Sequence, residues 1–160
     1  MTAWAPGRFF FLRTGCRNLL KLVFLTDIFY KKHIHCTEIE QKDTRPYIRI
    51  EVEFNGVTWA IPLRSNINHP HVIWTDKQNH CGIDFSKAVV VEKPKQYISS
   101  EKPHIRENEF KVLKQISEHR IKQRLEKYIQ DYKKAKRNPE IPRNEKLLEC
   151  STLQYFEEFI

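Results

Sequence analysis

The chain is 160 residues long, 40% hydrophobic and 12% aromatic, with a formal net charge of +8. Such content excludes a disordered chain and suffices for a single hydrophobic core. The excess of cations points to an anionic partner, nucleic acid before a membrane surface. Four widely spaced cysteines, Cys16, Cys36, Cys81 and Cys150, fit reduced thiols in a cytoplasm better than a disulfide framework.

Residues 1–26 carry Arg8, Arg13, Arg17 and Lys21 and no acid. Their apolar runs, Phe9–Leu12 and Leu22–Leu25, fall far short of the roughly 18 residues of a membrane span. Residues 1–18 read as an N-terminal extension, and 19–160 as one domain. Leu19–Leu25 predicts a first strand, and Thr26-Asp27 the cap of a short helix running to about His33. Thr37–Thr44 is polar and reads as a surface loop.

From Ile48 to Phe54 the chain alternates with period two: Ile48, Ile50, Val52 and Phe54 on one face, Arg49, Glu51 and Glu53 on the other. Asn55-Gly56 predicts a type I′ hairpin turn, which needs positive φ at both central residues. The return strand, Val57–Ile61, should stop or bend at Pro62. Next, Arg64 to His71 packs a cation, a hydroxyl, amides and two imidazoles into a turn expected to face solvent. His71–Trp74 predicts a further strand closed by a turn at Thr75–Asn79. Lys87–Val91, nearly all apolar, is the expected central strand, and 93–103 a crossing segment with an edge strand near Tyr97-Ile98.

Residues 106–137 read as one long helix with Phe110, Leu113, Ile121, Leu125, Tyr128 and Tyr132 mostly on one face. It holds eleven Lys/Arg against five Asp/Glu, a net of +6. Pro139 and Pro142 separate it from a final amphipathic helix expected at about Asn144–Phe159. The class is α+β, a twisted, mainly antiparallel sheet with packed helices.

Two constellations could carry chemistry. RNA cleavage by internal attack of the 2′-hydroxyl needs a base, positive charge on the phosphoryl oxygens and a proton for the leaving 5′-oxygen. The 64–71 loop offers Arg64 for phosphate, Ser65, Asn66 and Asn68 as donors, and His69 and His71 as base or acid; a solvated turn is the bland alternative. His33-x-His35-Cys36, His69-x-His71 and His80-Cys81 could instead be zinc ligands, although none has regular zinc-site spacing. For nucleic acid, Lys111, Lys114, Arg120, Lys122, Arg124 and Lys127 could follow a phosphate backbone, or simply form a solvated face. Tyr47, Trp59 and Trp74 could stack on bases, though Trp59 reads more naturally as core. No Walker loop, GxGxxG or nucleophile elbow is present.

Arg45-Pro46-Tyr47-Ile48, the Glu53-Phe54-Asn55-Gly56 turn, Ala60-Ile61-Pro62-Leu63-Arg64-Ser65-Asn66-Ile67-Asn68-His69 and Gly82–Val90 resemble the toxins of type III toxin–antitoxin systems. The CptN- and TenpN-like branch is most similar, ToxN and AbiQ more distant, and the resemblance runs from about Leu22 to Ile160. It implies an endoribonuclease with a highly twisted sheet similar to the Kid/MazF barrel, needing no metal or other cofactor and leaving 2′,3′-cyclic phosphate ends. It also implies an RNA antitoxin: repeat-derived pseudoknots that the toxin cuts and then binds, besides cellular or phage RNA as substrate. The distant ToxN loop reads Pro-Leu-Thr-Ser before an essential lysine. Here Arg64 replaces the threonine, Ser65 is kept, and no lysine lies between Ser65 and His71. On this reading Arg64 stabilises the phosphate, Ser65 and Asn66 position it, and His69, with His71 as substitute, moves the proton while Asn68 orients it. Tyr30, Lys32, Tyr47 and Lys87 are added to the helix cations as RNA contacts. A non-catalytic RNA-binding module using the same patch is the alternative.

Overall fold

Asn55 and Gly56 take φ of 51° and 75°, so the hairpin turn forms as its sequence demands. It joins β2 (Arg49–Phe54) to β3 (Val57–Arg64), paired antiparallel from Arg49↔Pro62 to Phe54↔Val57. The structure, a computed structural model, describes residues 19–39 and 47–160. The predicted N-terminal extension, Cys16, most of the 37–44 loop and the Arg45-Pro46 pair lie outside the described residues.

Among the described residues, six strands form one antiparallel sheet in the order β1-β2-β3-β5-β4, with β6 also on β3. They are β1 (Lys21–Val23), β2, β3, β4 (Val72–Asp76), β5 (Cys81–Asp84) and β6 (Val89–Val90). Among the described residues, five α-helices complete the α+β architecture: α1 (Asp27–Lys32), α2 (Pro94–Tyr97), α3 (Glu107–Leu113), α4 (Glu118–Arg137) and α5 (Pro142–Cys150).

Several expectations need correcting. Pro62 does not end its strand, and β3 runs on to Arg64. The Leu63 N–H donates to Ile48 O, so by antiparallel alternation the Pro62 nitrogen faces away from β2. On that side β3 changes partner, from β6 at Trp59 and Ala60 to β5 at Leu63 and Arg64, and no donor is needed at Pro62. The central strand is therefore β3. Lys87–Val91 supplies only the two-residue β6 after a 3-10 turn at Phe85–Lys87, although Ala88 to Val91 are all buried. Continuous apolarity marked burial, not strand length.

Arg49, expected on the polar face of β2, is buried at 2% exposure, its Nη1 donating to Lys87 O at 3.4 Å. Thr26 does occupy the N-cap of α1, but its hydroxyl donates to Gln96 O instead of capping. The expected edge strand near Tyr97 is the end of α2, leaving one bridge between Leu25 and Ile98. The single helix at 106–137 is two helices, broken at 114–117. There Ser117 starts α4 by accepting from the Arg120 N–H, a side-chain cap stronger than the local helical pattern. The last helix stops at Cys150 and continues as 3-10 turns at Thr152–Tyr155 and Glu157–Phe159.

The core joins both hairpin strands to the helices. Ile121, Leu125, Tyr128, Ile129 and Tyr132 form the buried stripe of α4 at three- and four-residue steps. They share one cluster with Ile50, Val52, Trp59, Ile61, Ile83 and Phe85 of the sheet side, closed by Leu153 and Phe156. The C-terminal segment is tied to the Phe85–Lys87 turn by polar bonds as well. Thr152 Oγ1 donates to the carbonyls of Ser86 and Ala88, and Lys87 Nζ to Cys150 O at 2.7 Å. No described helix is long and apolar enough to cross a membrane.

Candidate active site

The 64–71 loop connects β3 to β4 and is held far more firmly than a solvated turn. Ile67 buries its side chain to 2% exposure, which stabilises the loop by about 2 kcal/mol. Its N–H donates to His80 O, and its carbonyl meets His80 Nδ1 at 3.2 Å. Asn66, at φ 57°, makes the left-handed turn before it. Ser65, Asn66 and Asn68 stay exposed, while Arg64, His69 and His71 are partly buried.

Asp84, at the end of β5, is the hub beneath the loop. It is fully buried and receives Arg64 Nη1 at 2.7 Å, the Ser86 hydroxyl at 2.6 Å and the Ser86 N–H at 2.9 Å. His69 Nε2 stands 3.2 Å from both Asp84 Oδ1 and Ser86 Oγ. Burial on its own would raise the Asp84 carboxyl, but bonds from His69, Ser86 and Arg64 outweigh it and hold the group at about 2. A lone aspartate inside the apolar run Cys81–Phe85 was the signal for such a hub, since a buried carboxylate must be paired.

The donor pattern sets the His69 tautomer. Its Nδ1 accepts the His71 N–H at 3.2 Å, so the ring proton belongs on Nε2, facing Asp84 and Ser86. Both ring nitrogens of His69 are thereby engaged. His71 is the reverse case. Its N–H goes to His69, its carbonyl accepts from Phe85 N, and Arg124 Nη2 donates to the flanking carbonyls of Pro70 (3.3 Å) and Val72 (2.9 Å). The His71 ring packs edge-on to Tyr128 at 5.0 Å and makes no hydrogen bond among the described residues. Burial holds this imidazole below the ordinary histidine range; His69, Lys127 and Arg124 push the same way, and Asp131 opposes them.

His71 opens into a cleft of about 890 Å³ between the loop, the C-terminal half of α4 and α5. Asn68, His69 and His71 line it from the predicted set, joined by Ser86, Asp131, Lys134, Arg143 and Lys146. Arg64, Ser65 and Asn66 do not. Arg64 instead borders a small crevice with Glu38, Tyr47, Arg49 and Lys87.

The remaining predicted RNA contacts scatter. Lys32 pairs with Glu92 at 2.9 Å and sits over the Tyr97 ring, with Tyr30 nearby on α1. Lys87 pairs with Glu38 at 2.6 Å. On α3 and α4, Lys111 pairs with Glu107, Lys122 with Glu118 and Lys127 with Asp131, all one turn apart. Lys114 lies over the Phe110 ring, Arg124 serves the loop carbonyls, and Arg120 makes no ion pair among the described residues. Trp59 is core at 1% exposure.

The histidine and cysteine clusters do not assemble. His33 is buried with Nδ1 at 2.8 Å from Phe29 O, and His80 serves Ile67. Among the described residues no group of three or more His, Cys, Asp or Glu could hold a metal ion. Set against protein-family models, curated proteins and solved structures, the chain matches none.

Proposed function

We propose that the protein is an endoribonuclease that cleaves RNA by attack of the 2′-hydroxyl on the adjacent phosphate. The observation that carries this reading is His71, a backbone-locked imidazole whose unbonded ring opens into a basic cleft. Kept neutral by burial and nearby cations, it is ready to accept a proton at neutral pH. It would take the 2′-hydroxyl proton as that oxygen bonds to phosphorus. Cleft cations would offset the charge on the pentavalent phosphate, and the leaving 5′-oxygen would take a proton from water in the open cleft. The products are a 2′,3′-cyclic phosphate and a 5′-hydroxyl.

This reading moves the proton-transfer role from His69 to His71 and gives His69 and Arg64 to the Asp84 hub. It keeps the biological setting implied by the loop motif: a type III toxin acting in the cytoplasm, processing and inhibited by its own repeat RNA. The two partners of β3 on one edge, β6 and then β5, support the finer expectation of a strongly coiled, Kid/MazF-like barrel core. One observation favours the second reading, a non-catalytic RNA binder: both nitrogens of His69 and an Nη of Arg64 are already bonded within the fold.

Incubating the purified protein in EDTA with single-stranded RNA, a tandem-repeat transcript encoded beside its gene included where there is one, followed by end-group analysis, tests the proposal. Discrete fragments ending in 2′,3′-cyclic phosphate are expected. Intact RNA retained in a complex would sink the enzyme reading and leave the binder.

A further inference from the structure

Of the six cations expected to follow RNA on the 111–127 face, Lys111, Lys122 and Lys127 are answered by carboxylates one turn away, and Arg124 is taken up by the loop carbonyls. Exposed pairs of this kind are weak, but a phosphate approaching them must displace Glu107 or Glu118 and still meets their charge. The cleft differs. Lys134, Arg143 and Lys146 line it, and none makes an ion pair among the described residues. Its one carboxylate among the described residues, Asp131, is covered by Lys127 at 2.9 Å. The cations converge because the chain turns between two helices: α4 ends at Arg137, Pro142 starts α5, and α5 packs back on α4. Residues separated by the proline break thus face one gap.

The rest of the lining suits a nucleotide chain. Ile141 (37% exposed), Leu147 and Pro70 give apolar surface for bases or ribose. Asn144 Nδ2 donates to Asn138 O at 2.9 Å and Asn138 Nδ2 to Lys134 O at 3.4 Å, which leaves both amide oxygens as acceptors. Asn68 adds a carboxamide on the His71 side. A cleft of about 890 Å³ is also larger than one phosphate needs.

We infer that the cleft between α4 and α5 seats successive phosphates of a single-stranded RNA on Lys134, Arg143 and Lys146, leading the chain to His71. The strand therefore runs along the helix seam and not along the Lys111–Lys127 face. This path rests on the RNA-cleaving reading, but binding can be measured without cleavage.

The test uses a 2′-O-methyl oligoribonucleotide, which lacks the attacking hydroxyl, and titrates it against salt. Three proteins are compared: the parent, the cleft variant Lys134→Ala/Arg143→Ala/Lys146→Ala, and the face variant Lys111→Ala/Lys114→Ala/Lys122→Ala. All six substituted residues lie outside the core, Lys122 half-buried and the other five exposed, and equal melting temperatures verify folding. With three phosphates released, the cleft variant should lose about 2 from the log–log salt slope. Affinity at low salt should fall about 100-fold in that variant and stay within about threefold in the face variant. An unchanged cleft variant, or a larger loss in the face variant, overturns the path while leaving the RNA reading intact. A mononucleotide bound as tightly as the oligomer overturns the chain path in favour of a single-phosphate pocket. A parent protein that does not bind the oligomer overturns both the path and the RNA reading.

Discussion

His71 gives its backbone N–H to Nδ1 of His69 across 3.2 Å, so two neighbouring imidazoles take opposite parts. His69 has both nitrogens engaged and acts as scaffold. His71 has its backbone fixed and its ring unbonded among the described residues. Under the proposed reaction, His71→Ala should lower the cleavage rate by about 100-fold or more, the usual scale for removing a general base. RNA affinity should stay within a few-fold. Because burial and adjacent cations hold His71 below the ordinary histidine range, the acid limb of the parent's rate profile should lie below pH 6.5. The same sign governs stability. The unfolded chain binds the proton more readily, so the His71 contribution is full above pH 6.5 and declines as pH falls through the lowered folded value. A limb above pH 7, or an unchanged rate in His71→Ala, would remove it from the mechanism.

Asp84 makes a separate acid prediction. Its folded carboxyl is held at about 2 against an ordinary 3.8, so its stabilisation is present above pH 3.8 and lost as pH falls towards 2. The shift corresponds to something on the order of 2 kcal/mol. Asp84→Ala would also remove the buried carboxylate that Arg64 Nη1 and His69 Nε2 face, and should cost about 3 kcal/mol at pH 7. Urea titrations of both proteins at pH 7 and pH 2.5 check this: the gap should be wide at the first and narrow sharply at the second. A gap that does not change with pH would mean that Asp84 is not the charged hub.

Local signals in the sequence were sufficient where one residue settles one conformation. Asn55-Gly56 specified the turn, the alternation from Ile50 to Phe54 specified a strand, and the α4 stripe specified its buried face. What failed depended on partners far along the chain. Pro62 reads as a stop until β6 and β5 are seen to exchange places beside it. Lys87–Val91 reads as a central strand because burial and strand length leave the same apolar mark. The loop residues Asn68, His69 and His71 were identifiable by composition, yet their division of labour needed Asp84, fifteen residues beyond His69 in sequence. Lys134, Arg143 and Lys146 were visible only as charge, because their convergence arises from the fold-back at Pro142.

Gly82 sits in β5 opposite Trp74, beside the register shift between Trp74 and Asp76. A Cβ there would lie 2.5 Å from Ile73 O and 3.1 Å from Trp74 Cα, both backbone atoms that cannot swing away. Gly82→Ala should therefore destabilise the fold by about 2 kcal/mol, in the range of overpacked core substitutions. Gly56→Ala meets no atom within 4 Å, but pays backbone strain at φ 75°. Chemical denaturation would check the first. A neutral Gly82→Ala would show that β4 and β5 can separate at the bulge.

Arg124 connects the helix to the chemistry without entering the cleft. One Nη2 serves the carbonyls of Pro70 and Val72, the two residues that flank His71, while the guanidinium charge helps to hold the His71 imidazole neutral. The two roles separate by substitution. Arg124→Met removes both, so the rate should fall at every pH and the acid limb should move up towards pH 6.5. Arg124→Lys keeps the charge but replaces a planar fork by a point donor, so the rate should fall while the limb stays in place. Global stability should drop by only about 1 kcal/mol in either variant, the scale of a hydrogen bond lost at a part-exposed site. If Arg124 merely props up the fold, both variants will lose rate in proportion to stability and neither limb will move. A shift in Arg124→Met alone is what ties this side chain to the protonation of His71.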